Sequence, residues 1–362
     1  MHIPDGYLSP STCATLYAGS APFWYVALRR LKRSLNARMI PLLSLMSAFC
    51  FVIMMFNLPL PGGTTGHAVG MGIAAILLGP WGAIVAISIA LLVQAVFFGD
   101  GGITCYGANC FNMAIVGSLV AYGVYRAVAG RTALTAPRRV VAAGAAGYVG
   151  INVAALCAAI EFGIQPALFH DGTGAPLYAP YPLSIAIPAM LAGHLSFAGI
   201  AELVISGGLV AYLQRADPGM LRRTAPGVVD QINAMDAPQG LRWLWVALAA
   251  LMLATPLGLL AAGSAWGEWK AEDFRKPEMR QEMAAASRHR APPDQAPAGF
   301  QKLSSVWTAP MPDYAPRFLK STGLGYLCSA MFGSGLLILG WTGVGWGAGM
   351  LGRRRPEAAR PR

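Results

Sequence analysis

The sequence opens MHIPDGYLSP, which puts a histidine directly behind a methionine in a chain with five histidines in all, at 2, 67, 170, 194 and 289. A free α-amine titrates near about 7.7–8.0 and is a good ligand once deprotonated. The amine of Met1, the main-chain nitrogen of His2 and a ring nitrogen of His2 can enclose one metal ion in two fused chelate rings, with three nitrogens close to one plane. The ion must then displace the amide proton, which Ni(II) and Cu(II) do well in square-planar nitrogen fields. The imidazole of His67, at the end of the loop PLPGGTTGH, would supply a fourth nitrogen, and glycines at 62, 63 and 66 let main chain approach it. Position 2 matters, because one place further along changes the ring sizes. A bulky second residue also tends to protect the methionine from removal. No basic n-region, short apolar core and small-residue cleavage site is present, so the MH pair is expected to stay in place. Either histidine alone has an ordinary reading, incidental at 2 and a satisfied polar group at 67. Only their placement together would make them ligands.

The elements that position them are membrane spans. Charged residues make up 12% of the 362-residue chain, against roughly 25% in ordinary soluble proteins; 55% is hydrophobic and the mean hydropathy is +0.50. Uncharged runs such as MIPLLSLMSAFCFVIMMFNL are long enough to cross a hydrocarbon core of about 30 Å. Nine spans are read, at about 14–31, 39–58, 67–79, 81–99, 109–128, 139–165, 183–213, 241–263 and 322–351. The third is short, as for a helix starting below the membrane surface. The fold class is therefore an all-α polytopic membrane protein, because an open sheet leaves unpaired backbone groups in lipid.

The net charge of +11 is not that of a nucleic-acid-binding face, since the basic residues gather at span ends. They fall at Arg29, Arg30, Lys32, Arg33 and Arg38, at Arg126, Arg131, Arg138 and Arg139, at Arg215, Arg222 and Arg223, and at Arg353–Arg355. With nine spans these lie on one side, the cytoplasm. The loops 59–66, 100–108 and 166–182 contain no Lys or Arg, so the N-terminus faces outward and Met1, His2 and His67 share that side. The region from about 264 to 321 breaks the charge rule, but long loops translocate largely regardless of charge. Its Pro- and Ala-rich composition (RAPPDQAPAGF) predicts a mobile external segment with one short helix near 277–288.

MHIPDGYLSP, GGTTGHAVGMGIAAILLGPWGA (62–83) and FFGDGGITCYGANCFNMAIVG (97–117) resemble the CbiM/NikM family, the substrate-binding membrane subunits of energy-coupling-factor transporters for cobalt and nickel. The resemblance runs from residue 1 to about 215. It implies a seven-helix substrate-binding bundle whose N-terminal segment dips into a cavity and binds Co(II) or Ni(II) through Met1, His2 and His67. Residues 241–352 resemble the companion subunit CbiN/NikN, two further transmembrane helices flanking an external loop, with PDYAP (312–316) and GSAWGEWKAEDF (263–274) as the carrying motifs. A cytoplasmic linker (216–240) and a basic cytoplasmic tail (353–362) complete the organisation, in the cell's inner membrane. The implied partners are a coupling transmembrane subunit and two cytoplasmic ATPase subunits, since no GxxxxGK[ST] is present. No cofactor is implied beyond the transported Co(II) or Ni(II), and the choice between the two ions stays open.

Asp5, Asp100 and Asn109 are candidates to orient the ligands, holding an imidazole N–H or a loop amide. Asp5 is equally a turn residue in PDG, and capping is the favoured reading of Asn109; Asn112 caps or lines the cavity. His194 and Glu202 lie two turns apart in the seventh span, away from an outer site, and read as a structural hydrogen bond or a contact with partner subunits. His170, Asp171 and His289 read as surface residues. Cys105 and Cys110 could pair in an oxidising compartment, and the sixteen methionines read as packing. An intramembrane metalloenzyme would need a base and an open metal position, and no HExxH or Ser/Lys pair occurs. A metal sensor would need a signalling domain, which a ten-residue tail does not offer.

Overall fold

The computed structural model describes residues 1–36, 39–60, 63–226, 228, 239–261, 263–316 and 318–353. Arg38, Gly62, residues 227 and 229–238 of the 216–240 linker and the tail after 353 lie outside the described residues. The main helices are α1 (Pro10–Ser34), α2 (Met39–Met54), α3 (Met71–Phe98), α4 (Tyr106–Ala129), α5 (Pro137–Leu168), α6 (Leu183–Ala216), α7 (Leu241–Leu260), the short α8 (Pro277–Ala286) and α9 (Ala298–Leu303), and α10 (Thr322–Gly347). α1 starts where Ser9 accepts the Thr12 N–H at 3.1 Å and Pro10 takes the first helical position, and it ends on Lys32 and Arg33, which suit the negative end of the helix dipole.

Among the described residues six helices, α3 to α7 and α10, are long and apolar enough to cross a membrane. Nine were expected from the sequence. α1 has an uncharged first stretch, but its Ser, Thr, Tyr, Gly and Pro residues leave it insufficiently apolar, and α2 is only 16 residues long. The expected third and fourth spans form the single element α3, broken at Gly79, where φ is 72° and ψ 166°. That break reverses the chain. A straight 28-residue helix would hold its ends about 42 Å apart, yet His67 before it and Asp100 after it both touch the His2 ring. Glycine permits the left-handed φ, and Pro80 suits the first position of the returning arm.

α3 is the centre of the bundle, with 78% of its apolar window buried, whereas α7, at 17%, lies on the periphery where lipid would cover it. The end opposite the His2 ring gathers the basic residues: Arg30 sits over the Trp81 ring at 5.0 Å, Arg223 reaches Met39 Sδ at 2.9 Å, and Arg139 donates to the carbonyls of Thr132 at 3.2 Å and Ala133 at 2.9 Å. Clustering of the basic loops at one end matches the charge pattern of the sequence.

At the other end a small antiparallel hairpin, β1 (Leu58–Leu60) with β2 (Thr64–Gly66), leads into His67. The 264–321 segment docks on it, with Thr65 N–H donating to the Ser264 carbonyl at 3.2 Å. The composition of that segment predicts mobility, but it is packed: Trp266, Trp269, Phe274, Met283 and Phe300 are buried. The expected short helix is α8. The aromatic residues supply the apolar area that the Pro- and Ala-rich stretches lack.

Candidate metal centre

The N-terminal segment enters the bundle and is held along its length. Ile3 N–H donates to Asn109 Oδ1 at 2.8 Å, and the Ile3 carbonyl accepts from Asn109 Nδ2 at 3.1 Å and from Gly102 N–H at 2.9 Å. Asp5 accepts the amides of Ile103 at 3.1 Å and Thr104 at 2.7 Å, together with the Thr104 hydroxyl. Gly102 is required by this close approach, because a Cβ there would strike the main-chain nitrogen and carboxylate of Asp5. The Tyr7 hydroxyl donates to the Trp269 carbonyl at 2.8 Å, and Phe300 packs on the Tyr7 ring at 4.5 Å between centroids.

The clamp brings the first residues to His67. His2 Nδ1 lies 3.2 Å from His67 Nε2 and 2.9 Å from Asp100 Oδ1, with both rings buried. His67 Nδ1 is 3.0 Å from the Ala68 carbonyl. That carbonyl can only accept, so Nδ1 carries the proton and Nε2 turns a lone pair toward His2. Burial, with His2 and the terminal amine nearby, holds the His67 imidazole well below the usual histidine range, and the ring is neutral at neutral pH. Burial alone would raise Asp100; the charge and hydrogen bond of His2 outweigh it, aided by His67 and the Tyr314 hydroxyl, and the carboxyl stays below its usual range. The Tyr314 hydroxyl donates to Asp100 Oδ2 at 2.5 Å, and Gln94 Nε2 approaches the same oxygen at 3.3 Å. The amine of Met1, itself buried, pairs with Glu268 Oε1 at 3.3 Å. A cavity of about 980 Å³ adjoins the site, lined by Asp5, His67 and Asp100 and, from the 264–321 segment, by Glu268, Trp269 and Tyr314.

Among the described residues no group of three or more His, Cys, Asp or Glu side chains is placed to hold a metal ion. Two imidazoles meet instead, one of them on the residue next to a terminal amine that is paired with Glu268. Residues 2–220 match the family described as the cobalt uptake substrate-specific transmembrane region. The chain belongs to that family. Residues 241–350 match a second family, the PDGLE domain. The chain is 56% identical over 351 residues to the fused nickel transport protein NikMN of Rhodobacter capsulatus, covering 97% of this chain and 98% of the relative. It is 41% identical over 340 residues to the probable fused nickel transport protein LarMN of Lactiplantibacillus plantarum, covering 91% and 93%. A crystal structure of a truncated transition metal transporter superposes with a TM-score of 0.56 at 50% identity, covering 59% of this chain and 99% of that one. The two relatives bear nickel transport names, and this chain, with six long apolar helices among its described residues, is a multi-pass membrane protein.

In this cobalt-uptake family member the structure brings Met1, His2, His67 and Asp100 together. Asp5 holds loop amides, one of the two orienting roles expected of it. Asn109 is not a helix cap: it clamps both polar groups of Ile3, because the N-terminal segment passes within reach of its amide. Asn112 donates to the buried Glu161 at 2.8 Å. His194 bonds the Met190 carbonyl at 2.8 Å, a structural role as read from the sequence. Glu202 also makes structural bonds, but to main chain two residues beyond His67, nearer the site than its sequence position implied. Cys105 and Cys110 are both free thiols, and the sulfur beside Cys105 is that of Cys13, at 3.8 Å. Cys110, five residues on, has Tyr106 and Ser88 as its side-chain partners. His170, Asp171 and His289 are not buried. Sequence reasoning did not single out Glu268, Tyr314 or Gln94. Glu268 and Tyr314 lay inside motifs already noted, GSAWGEWKAEDF and PDYAP.

Proposed function

We propose that the chain is the substrate-binding membrane subunit of an ATP-driven energy-coupling-factor importer for Ni(II) or Co(II), and that it captures the ion through Met1, His2 and His67. The ion is cargo, held by the Met1 amine, the amide and Nδ1 nitrogens of His2, and His67 Nε2. The observation that carries this reading is the buried 3.2 Å approach of His2 Nδ1 to His67 Nε2. Two nitrogens bound at about 2.0–2.1 Å and a right angle to one ion would stand about 2.8–3.0 Å apart, so a small closing movement accommodates it. Asp100, 2.9 Å from His2 Nδ1, holds that ring before the ion arrives; the ion replaces this hydrogen bond at Nδ1, and the carboxylate then offsets its charge. Asp5 and Asn109 fix the main chain behind it.

The remaining parts follow from that reading. The site end faces outward with the N-terminus, the basic end and C-terminus face the cytoplasm, and the membrane is the inner one. Residues 1–215 form the metal-binding part and 241–352 a fused two-helix companion whose 264–321 segment covers the site. Two cytoplasmic ATPase subunits and a coupling transmembrane subunit supply the power stroke, in keeping with the lack of GxxxxGK[ST]. Nickel ranks ahead of cobalt, supported by the affinity order for nitrogen ligands and by the nickel names of the two relatives above.

The test is metal content and Ni(II)/Co(II) competition on purified full-length protein whose Met1 terminus is verified by intact mass, beside a variant with one alanine inserted between Met1 and His2. One tightly held ion, lost in the insertion variant, is expected. Equal binding by both forms would place the ligands elsewhere.

A further inference from the structure

We infer that Glu202 is a positioning residue for the metal centre: its buried carboxylate fixes the main chain that aims His67 at His2. This rests on the metal-site reading above. Glu202 lies within α6 and is 0% exposed. Its Oε2 accepts the N–H groups of Val69 and Gly70, each at 2.9 Å, and its Oε1 accepts that of Gly72 at 3.1 Å.

Those three amides are the start of α3. A helix leaves its first N–H groups without partners inside the helix, and they carry the positive end of its dipole. A Ser, Asp or Asn at the cap would ordinarily serve them. Here the cap is Gly70, at φ 78°, with no side chain to offer. In a buried position water cannot substitute, and unpaired amides are costly. Glu202, supplied from another helix, satisfies them with both oxygens and places its negative charge against the dipole.

The consequence falls on His67, two residues before Val69. Its Nδ1 is tied to the Ala68 carbonyl, so the ring moves with its own backbone. The peptide units directly after that backbone are the ones Glu202 holds. With them fixed, His67 Nε2 faces His2 Nδ1; with them released, the strap between β2 and α3 can rotate and the lone pair turns away. A glutamine at 202 cannot reproduce the arrangement, because its NH2 would put a donor against one of the three N–H groups.

A double-mutant cycle on the full-length protein tests this, using Ni(II) as probe: wild type, Glu202→Gln, His67→Ala and the double variant, each read for Ni(II) affinity and for the absorption spectrum of the bound ion. Outer residues that orient a metal ligand typically contribute about 10–100-fold in affinity, so Glu202→Gln is expected to weaken binding about tenfold or more. Its Ni(II) spectrum should shift toward that of His67→Ala, and the double variant should be no weaker than His67→Ala alone, because both changes remove one interaction. If Glu202→Gln binds as wild type, or the two losses multiply, Glu202 does not act through His67, and the His67 site stands without it. If His67→Ala itself binds as wild type, the metal-site reading and this inference both fall. Should Glu202→Gln not be recovered as folded protein, Glu202→Asp enters the same cycle; it keeps the charge but withdraws it by one methylene from the three amides.

Discussion

Asn109→Ala offers a perturbation whose size can be worked out from individual hydrogen bonds. The side chain makes two bonds to Ile3, one as acceptor at 2.8 Å and one as donor at 3.1 Å. The two losses are unequal. The Ile3 carbonyl keeps the Gly102 N–H at 2.9 Å, whereas the buried Ile3 N–H is left without its acceptor. An orphaned buried donor costs about 1–3 kcal/mol. Taking about 2 kcal/mol, the undocked population of the N-terminal segment rises by about 30-fold. Hydrogen–deuterium exchange at the Gly102 amide reports that opening directly and is expected to quicken by about the same factor. Metal affinity falls by at most that factor, since an ion sees only the docked fraction. Unchanged exchange would refute the clamp. A loss of affinity well beyond the change in exchange would also refute it, because Asn109 would then be touching the ion rather than the main chain. Asp171→Ala is the control: Asp171 bonds Thr173 and Ala175 within its own exposed loop, and neither readout should move.

His67→Ala is expected to weaken Ni(II) binding beyond the roughly 10–100-fold typical of residues that only orient a ligand, while His289→Ala, at an exposed position, leaves it unchanged; equilibrium competition with a chromogenic chelator distinguishes the two, and equal effects would identify the wrong histidine. Gly102→Ala forces a Cβ into Asp5; overpacking of about 1–3 kcal/mol should displace the N-terminal segment and weaken Ni(II) binding by about tenfold, and wild-type binding would show that the segment need not approach this loop.

Much of the molecule was legible from local sequence. Long uncharged runs name membrane helices without reference to anything distant. The reach of Met1 and His2 is set by covalent geometry, and His67 is marked by the glycines beside it. What local sequence could not supply was which helix face meets which. Asn109 has the composition of a cap and the duty of a clamp, because its partner Ile3 lies 106 positions away. Glu202 was visible as a charge inside a span, but the amides it serves are 130 or more positions earlier. Cys105 was matched to Cys110 by proximity in sequence, while the sulfur beside it belongs to Cys13, on α1. In the 264–321 segment composition misled: its prolines and alanines read as mobile, and the buried Trp266, Trp269 and Phe300 were the countersignal.

The pairing of the first residues with Glu268 and Tyr314 imposes an order on biogenesis. Met1 is separated from Glu268 by 267 positions, and Asp100 from Tyr314 by 214. A ribosome adding about 5–20 residues per second needs roughly 15–60 s to travel from the first residue to Tyr314. Between the synthesis of Asn109 and that of the 264–321 segment, the N-terminal segment has His67, Asp100 and Asn109 to settle against but lacks its cover. The centre is thus built from the inside, and its cover is among the last pieces of the polypeptide to be made. Contacts of such sequence separation form slowly, so closure of the cover over the N-terminal segment is expected to be a late step in maturation, and a chain arrested before residue 264 would carry the histidines together but uncovered.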